Sequence, residues 1–364
     1  MNHSILAGLA FVVAGAVTAV PSPVNHDALH VLPPITHGNL IIFPVVGGTD
    51  YDTSRFLTLD EGVHAGSVIV TEQGALSGLV RRGQPARQSG ASVNNLVLVN
   101  NSDRPLLLLA GEIVTGGKQD RVIGADRVVP PKSDPIDLSV FCVEPGRWVG
   151  STAQFGSMKS QMAQPSVRVP AMAAQNQQQV WDKVAAAREA MSSAVVGGND
   201  LTYLRSTTSY AKAMAAPPVQ QTIDNAAGNY ESILQQLHKA GAKGVVVAIN
   251  GNLVWADLFA SNDLLSRYWQ KLARSYAAES LTAASAKGQA DQKSAQAFLD
   301  RMSGNREVVE TDPGVFRRVE ITGNGFKVFR LTALVPKTDF DLHIAKMTYE
   351  ENAWRKPVPY GMVR

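Results

Sequence analysis

The chain has a single cysteine, Cys142, among 364 residues, so it cannot close an internal disulfide. An exported chain of this kind must rely on its core or pair Cys142 with another molecule. A lone cysteine inside the strand-like run Ile136 to Val143 reads as a small buried apolar residue. Neither sign of charge is in excess: 34 basic and 31 acidic residues leave a formal net charge of +3, too balanced for the basic stripe that grips a phosphate backbone. Nucleic acid is therefore a poor candidate partner. Histidine and cysteine pairs at metal-ligand spacing are missing, and His26 and His30, four apart, fall near the start of the mature chain, so no metal site is expected. No apolar run reaches the roughly 18 to 20 residues of a membrane-crossing helix. Charge is also absent from the first nineteen residues, where Ile5 to Ala16 is apolar and Val17-Thr18-Ala19 follows. Residues 1–19 read as a signal peptide cleaved after Ala19, which implies export to a periplasm or the exterior.

What is present, 45% hydrophobic against 18% charged residues, describes a folded chain with one large or two modest cores. Residues 36–150 are predicted to be β-rich, with strands at Leu40 to Val45, Ser67 to Thr71, Leu96 to Val99, Leu106 to Leu109 and Ile136 to Val143, punctuated by Gly, Asn, Asp and Pro. Thr58 and Glu61 have the spacing of a capping box that opens a short helix. The Gln, Ser, Ala, Met and Pro of 151–174 lack periodicity and read as a linker or lid. Residues 175–350 are predicted to be mixed, with amphipathic helices over Gln177 to Met191 and Ile223 to Leu237. A hairpin turning at Asn250-Gly251 follows, then helices at Asn262 to Leu281 and Asp291 to Met302. Three strands between Val315 and Met347 close the chain. The expected class is α+β, a β-rich N-terminal half followed by a mixed C-terminal half with antiparallel hairpins.

Chemistry-bearing residues concentrate in Gly116-Gly117-Lys118-Gln119-Asp120-Arg121 and in Phe141 to Trp148. Unpaired charge is costly to bury, and glycines let backbone N–H groups approach a ligand, so the mixture marks a site. The P-loop pattern fails, because it requires glycine where Glu112 stands and Ser or Thr where Gln119 stands. Gly116 and Gly117 could still form an anion-binding nest of N–H groups, with Lys118, Gln119 and Arg121 beside it. Arg147 offers a two-pronged grip on carboxylate or phosphate, and Trp148 a stacking surface. Glu112 and Glu144 are the candidate catalytic bases. In an extended strand, Leu138, Val140, Cys142 and Glu144 share one face and Ser139, Phe141 and Val143 the other. A cysteine nucleophile would need His37 or His64 brought to it by the fold. In the second half, Asp257 sits among Trp255, Phe259, Tyr268 and Trp269 and is the one residue there that merits substitution.

At the same blocks the chain resembles the ADP-ribosylglycohydrolase and rhodanese-phosphatase-superfamily-associated protein domain family. Its hallmark is an apolar run ending in Gly-Glu, here Leu107 to Glu112, then Gly-Gly-Lys-Gln-x-Arg, here Gly116 to Arg121, then Cys142-Val143-Glu144-Pro145-Gly146-Arg147-Trp148. The strand Asn39 to Pro44 and the stretch Asp257 to Phe259 are also similar, so the resemblance spans about Thr36 to Met347. Asp120 stands where the family commonly has Asn. The resemblance implies a role near ADP-ribose or nucleotide metabolism and carries no established activity.

Two readings follow. In the first, Glu112, Lys118, Gln119, Arg121, Glu144, Arg147 and Trp148 line a site for a small anionic ligand, ADP-ribose or phosphate-like, with no cofactor identified. In the second, the blocks form a buried polar network in a non-enzymatic secreted structural or assembly module that self-associates.

Overall fold

Alternating and wholly apolar runs become strands of three sheets in the computed structural model, which describes residues 29–72, 95–146, 152–195, 206–283, 288–335 and 338–350. The predicted signal peptide, Arg147 and Trp148 lie outside the described residues. The fold is α+β, and the sheets are antiparallel except where strand Leu57–Thr58 runs parallel to Leu106–Leu108.

The largest sheet has nine strands and joins early and late segments of the described residues: Leu40–Gly47 pairs with Gly244–Ile249, which leads through Asn252–Phe259, Phe340–Thr348, Phe326–Ala333 and Phe316–Gly323 to Arg306–Asp312. Its central strands are apolar on both faces because both are covered. Ile42, Val245, Val247, Trp255, Phe259 and Met347 pack against Tyr268, Trp269, Leu272 and Tyr276 of the long helix Asn262–Thr282. Phe43, Val45, Val246, Ala256, Leu258 and Ile344 pack against Ala295 and Leu299 of helix Gln292–Asp300. The turn between Gly244–Ile249 and Asn252–Phe259 has Asn250 and Gly251 at φ 51° and 73°, the left-handed pair that a two-residue hairpin demands.

A six-stranded and a three-stranded sheet enclose a second core of Leu59, Val68, Leu98, Leu108, Ile123 and Val140. Thr58 and Glu61 form the expected capping box. On the far side of the six-stranded sheet, Ile113, Val122, Phe141 and Val143 meet the helices Gln177–Ala194, Tyr210–Ala215 and Pro217–Ala227. The alternation predicted for Ile136 to Val143 holds, since Leu138 and Val140 enter one core and Phe141 and Val143 the other.

Two expectations change. Residues 152–174 are folded into the body of the protein: strand Gly156–Met162 pairs with Glu112–Thr115, and helix Pro165–Val169 is largely buried. A segment enclosed by partners on several sides shows no one-sided periodicity, and its composition alone resembles a linker. The single helix expected over Ile223 to Leu237 is two, Pro217–Ala227 and Tyr230–Lys239. The break is at Gly228, with φ 67°, where an added Cβ would lie 2.9 Å from the His37 ring. Among the described residues no helix is long and apolar enough to cross a membrane.

Candidate functional site

Strands Glu112–Thr115 and Arg121–Ile123 form a hairpin, so the glycine-rich block becomes its connecting loop. Gly116 and Gly117 take φ 132° and 50°, and a Cβ on Gly117 would stand 2.2 Å from the Phe155 ring. The loop turns its N–H groups inward as a nest would, and the protein's own oxygens occupy them. Gly116 N donates to Asp120 Oδ1 at 3.1 Å, Gly117 N to Thr152 Oγ1 at 3.2 Å, Lys118 N to Glu72 Oε1 at 3.1 Å and Asp120 N to Glu144 Oε2 at 3.3 Å.

The side chains continue this inward pattern. Asp120 Oδ2 accepts from Ser209 Oγ at 2.8 Å, which ties the loop to the helix Tyr210–Ala215 that Ser209 caps. Gln119 donates to the Glu144 carbonyl at 3.0 Å and accepts from the Cys142 thiol. Burial pushes the Cys142 thiol up, the opposite of what a thiolate nucleophile needs. His37 and His64 engage the Asn225 carbonyl and Lys159 instead. Arg121 is wholly buried and donates from Nη1 to the Gln119 carbonyl at 2.7 Å. At the rim, the half-exposed Lys212 ammonium is 3.7 Å from Glu144 Oε1.

Glu112 belongs to a different network. Its Oε1 is 2.8 Å from Lys271 Nζ, its Oε2 accepts from Leu109 N at 2.9 Å, and Lys271 also meets Asp60 Oδ2 at 2.6 Å. Burial acts to lower the Lys271 pKa, but Glu112 and Asp60 outweigh it and hold the ammonium above its ordinary value. The two candidate bases thus engage separate partners, Lys271 and the Leu109 N–H for Glu112 and the Asp120 N–H and Lys212 for Glu144.

A third set of deeply buried charges centres on Asp257. Arg168 Nη1 and Nη2 reach its two oxygens at 3.1 and 3.2 Å, Tyr276 donates to Oδ2, and His343 Nε2 lies 3.2 Å from Oδ1. His343 Nδ1 lies 2.6 Å from Asp126 Oδ2, and Ala110 N donates to Asp126 Oδ1 at 2.7 Å. Burial alone would drive the His343 pKa down, yet the flanking Asp126 and Asp257 raise it to about 9. Both ring nitrogens are therefore donors, and the imidazolium has no free nitrogen with which to act as a base. Burial opposes ionisation of Asp257, but Arg168 and His343 hold the carboxyl well below the usual carboxylate range. Asp126 also borders a small cleft of about 270 Å³, solvent space included, with Met172, Gln175, Arg318, Glu320 and Phe329.

Geometry fixes the Arg168 side chain. It lies over the Trp255 ring at 4.2 Å and packs along Gly111, whose φ is 98° and whose added Cβ would fall 2.7 Å from Nε. Gly111→Ala is expected to cost about 2 to 4 kcal/mol, combining left-handed strain with overpacking. Chemical denaturation measures it, and a loss under about 1 kcal/mol would show that the contact yields.

Of the residues singled out from sequence, Gly116, Gly117, Lys118, Gln119, Arg121 and Glu144 come together around one loop, whereas Glu112 does not join them. Asp257 lies at the heart of the other network. Sequence reasoning missed Asp126, Arg168, Lys271, Tyr276 and His343. The available signal was a charged or imidazole residue inside an otherwise apolar run, as with Arg168 in Pro165 to Ala174 and His343 in Leu342 to Ala345.

The model of the ARG and Rhodanese-Phosphatase-superfamily-associated Protein domain matches residues 28–346. No curated protein and no solved structure matches the chain.

Proposed function

We propose that this chain, which belongs to the ARG and Rhodanese-Phosphatase-superfamily-associated Protein domain family, is a non-enzymatic binding or assembly module in which the glycine-rich loop and the Cys142 to Gly146 segment serve as a buried polar clasp. One observation carries this reading: the loop N–H groups that would cradle an anion already donate to Glu72, Asp120, Thr152 and Glu144. A ligand anion would have to displace the protein's own carboxylates. Arg121, directed at a backbone carbonyl within the loop, braces the same turn. Export of the module is part of the proposal and rests on residues 1–19 alone.

Asp120→Ala is expected to lower stability by about 2 to 3 kcal/mol, since it strips acceptors from the partly buried Gly116 N–H and the buried Ser209 hydroxyl. Melting with ADP-ribose, nucleotides or inorganic phosphate should leave the midpoint unmoved, whereas a ligand at 100 times its Kd would add about 2.7 kcal/mol. A ligand-dependent rise that Lys118→Ala or Arg147→Ala abolishes would overturn the clasp and restore the anion-site reading. An Asp120→Ala variant as stable as the parent would also overturn it.

A further inference from the structure

The nine-stranded sheet ends at Arg306–Asp312, whose pairing among the described residues is with Phe316–Gly323 alone. Arg306 to Thr311 are all exposed. Large hydrophobics are rarely presented this way here: the exposed ones among the described residues are Tyr51, Val308 and Val309, and Tyr51 is stacked on Phe340. Val308 and Val309 are 42% and 48% exposed, adjacent, and set in the middle of the edge. Open edges are normally blunted by charged side chains, lysine above all, by proline, by a bulge or by short length, and of these devices Arg306–Asp312 has charge alone, in Arg306, Glu307, Glu310 and Asp312. This one is seven residues long, has neither proline nor lysine, and keeps an unbroken register from Arg306↔Thr322 to Asp312↔Phe316.

We propose that this edge is the seam of a symmetric dimer, in which Arg306–Asp312 of two copies pair antiparallel about a two-fold axis at Val309. The sequence of the strand suits a second copy of itself in this register. With Val309 facing its own copy, Arg306 faces Asp312 at both ends of the seam, Glu307 faces Thr311 and Val308 faces Glu310, a carboxylate already engaged by Arg318. A slip of one residue brings Glu307 against Glu310 in one direction and against Asp312 in the other, setting like charges opposite each other. A two-fold interface uses the same patch on both copies, so one self-complementary strand suffices. Its small extent implies a reversible, concentration-dependent association. The seam is independent of the clasp around Gly116 to Arg121, and either can fail alone.

Sedimentation velocity of the mature chain over roughly 1 to 100 μM tests the seam. The weight-average mass is expected to climb toward twice that of the monomer. Val309→Lys, which sets two ammonium groups against each other at the axis, should hold the protein monomeric, with the melting midpoint that the parent has at dilutions where it too is monomeric. Arg306→Asp and Asp312→Arg should each weaken the dimer about three- to tenfold, because each changes two symmetry-related pairs, and the double swap should restore it. A monomer at every concentration, a dimer indifferent to Val309→Lys, or a double swap no better than the single ones would each overturn the proposal.

Discussion

Asp257→Ala is expected to destabilise the protein by about 3 to 5 kcal/mol, the cost of leaving buried charge without its partner. The carboxylate is completely buried and receives four groups: two guanidinium nitrogens of Arg168, the Tyr276 hydroxyl and one nitrogen of His343. Its removal strands the buried Arg168 guanidinium and takes from His343 one of its two carboxylates. Asp126→Ala should cost less, because His343 would keep Asp257 and the only other group deprived of an acceptor is the backbone N–H of Ala110. Replacing both Arg168 and Asp257 with apolar residues of similar size should recover part of the loss, since such buried pairs often contribute little net stability. Urea denaturation of the three variants gives the ranking. A cost below about 1 kcal/mol for Asp257→Ala, or a greater one for Asp126→Ala, would refute this account of the cluster. The cluster also joins parts distant in the chain, Asp126 with His343 and Arg168 with Asp257, so its loss should weaken the packing of the β-rich part on the large sheet.

Much of the fold was legible because many of the preferences that shape it are local or periodic. The Asn250-Gly251 hairpin, the Thr58 capping box and the two faces of Ile136–Cys142 each follow from rules that act over a few residues. The pairing of Leu40–Gly47 with Gly244–Ile249 was not legible, because two apolar strands two hundred residues apart carry no mark of each other. The site shows the same division. Composition located the loop Gly116 to Arg121, since glycines and charges in a strand-rich stretch are unusual. It could not say whether those charges faced outward or one another, because the residues that answer them, Glu72, Thr152 and Ser209, come from three other segments. Arg168 was obscured for a related reason: its partners in strand Asn252–Phe259 and helix Asn262–Thr282 are supplied only by the tertiary fold.

Stability against pH is expected to be shallow in the parent between about pH 7 and 9 and to separate into opposite slopes in two variants. His343 has an ordinary pKa of 6.5 that rises to about 9 in the folded chain. Between these values the folded state binds the proton more tightly, so the contribution of His343 is complete below pH 6.5 and is lost as pH rises through 9. The loss amounts to about 3 kcal/mol. Lys346 behaves in the reverse sense. It is buried among Phe298, Phe326 and the carbonyls of Phe298 and Arg301. Burial, with the nearby Arg301 charge, lowers its pKa from 10.5 to about 7. Above pH 7 the unfolded chain holds that proton more tightly, so stability is regained as pH rises from 7 toward 10.5. Over the shared window the two contributions oppose each other. Lys346→Met should therefore leave the His343 contribution unopposed, with urea midpoints falling from pH 6.5 to 9. His343→Asn should leave that of Lys346 unopposed, with midpoints rising above pH 7. A flat Lys346→Met profile would mean that His343 is not held as an imidazolium between Asp126 and Asp257, and the charge pattern assigned to the buried cluster would then be wrong.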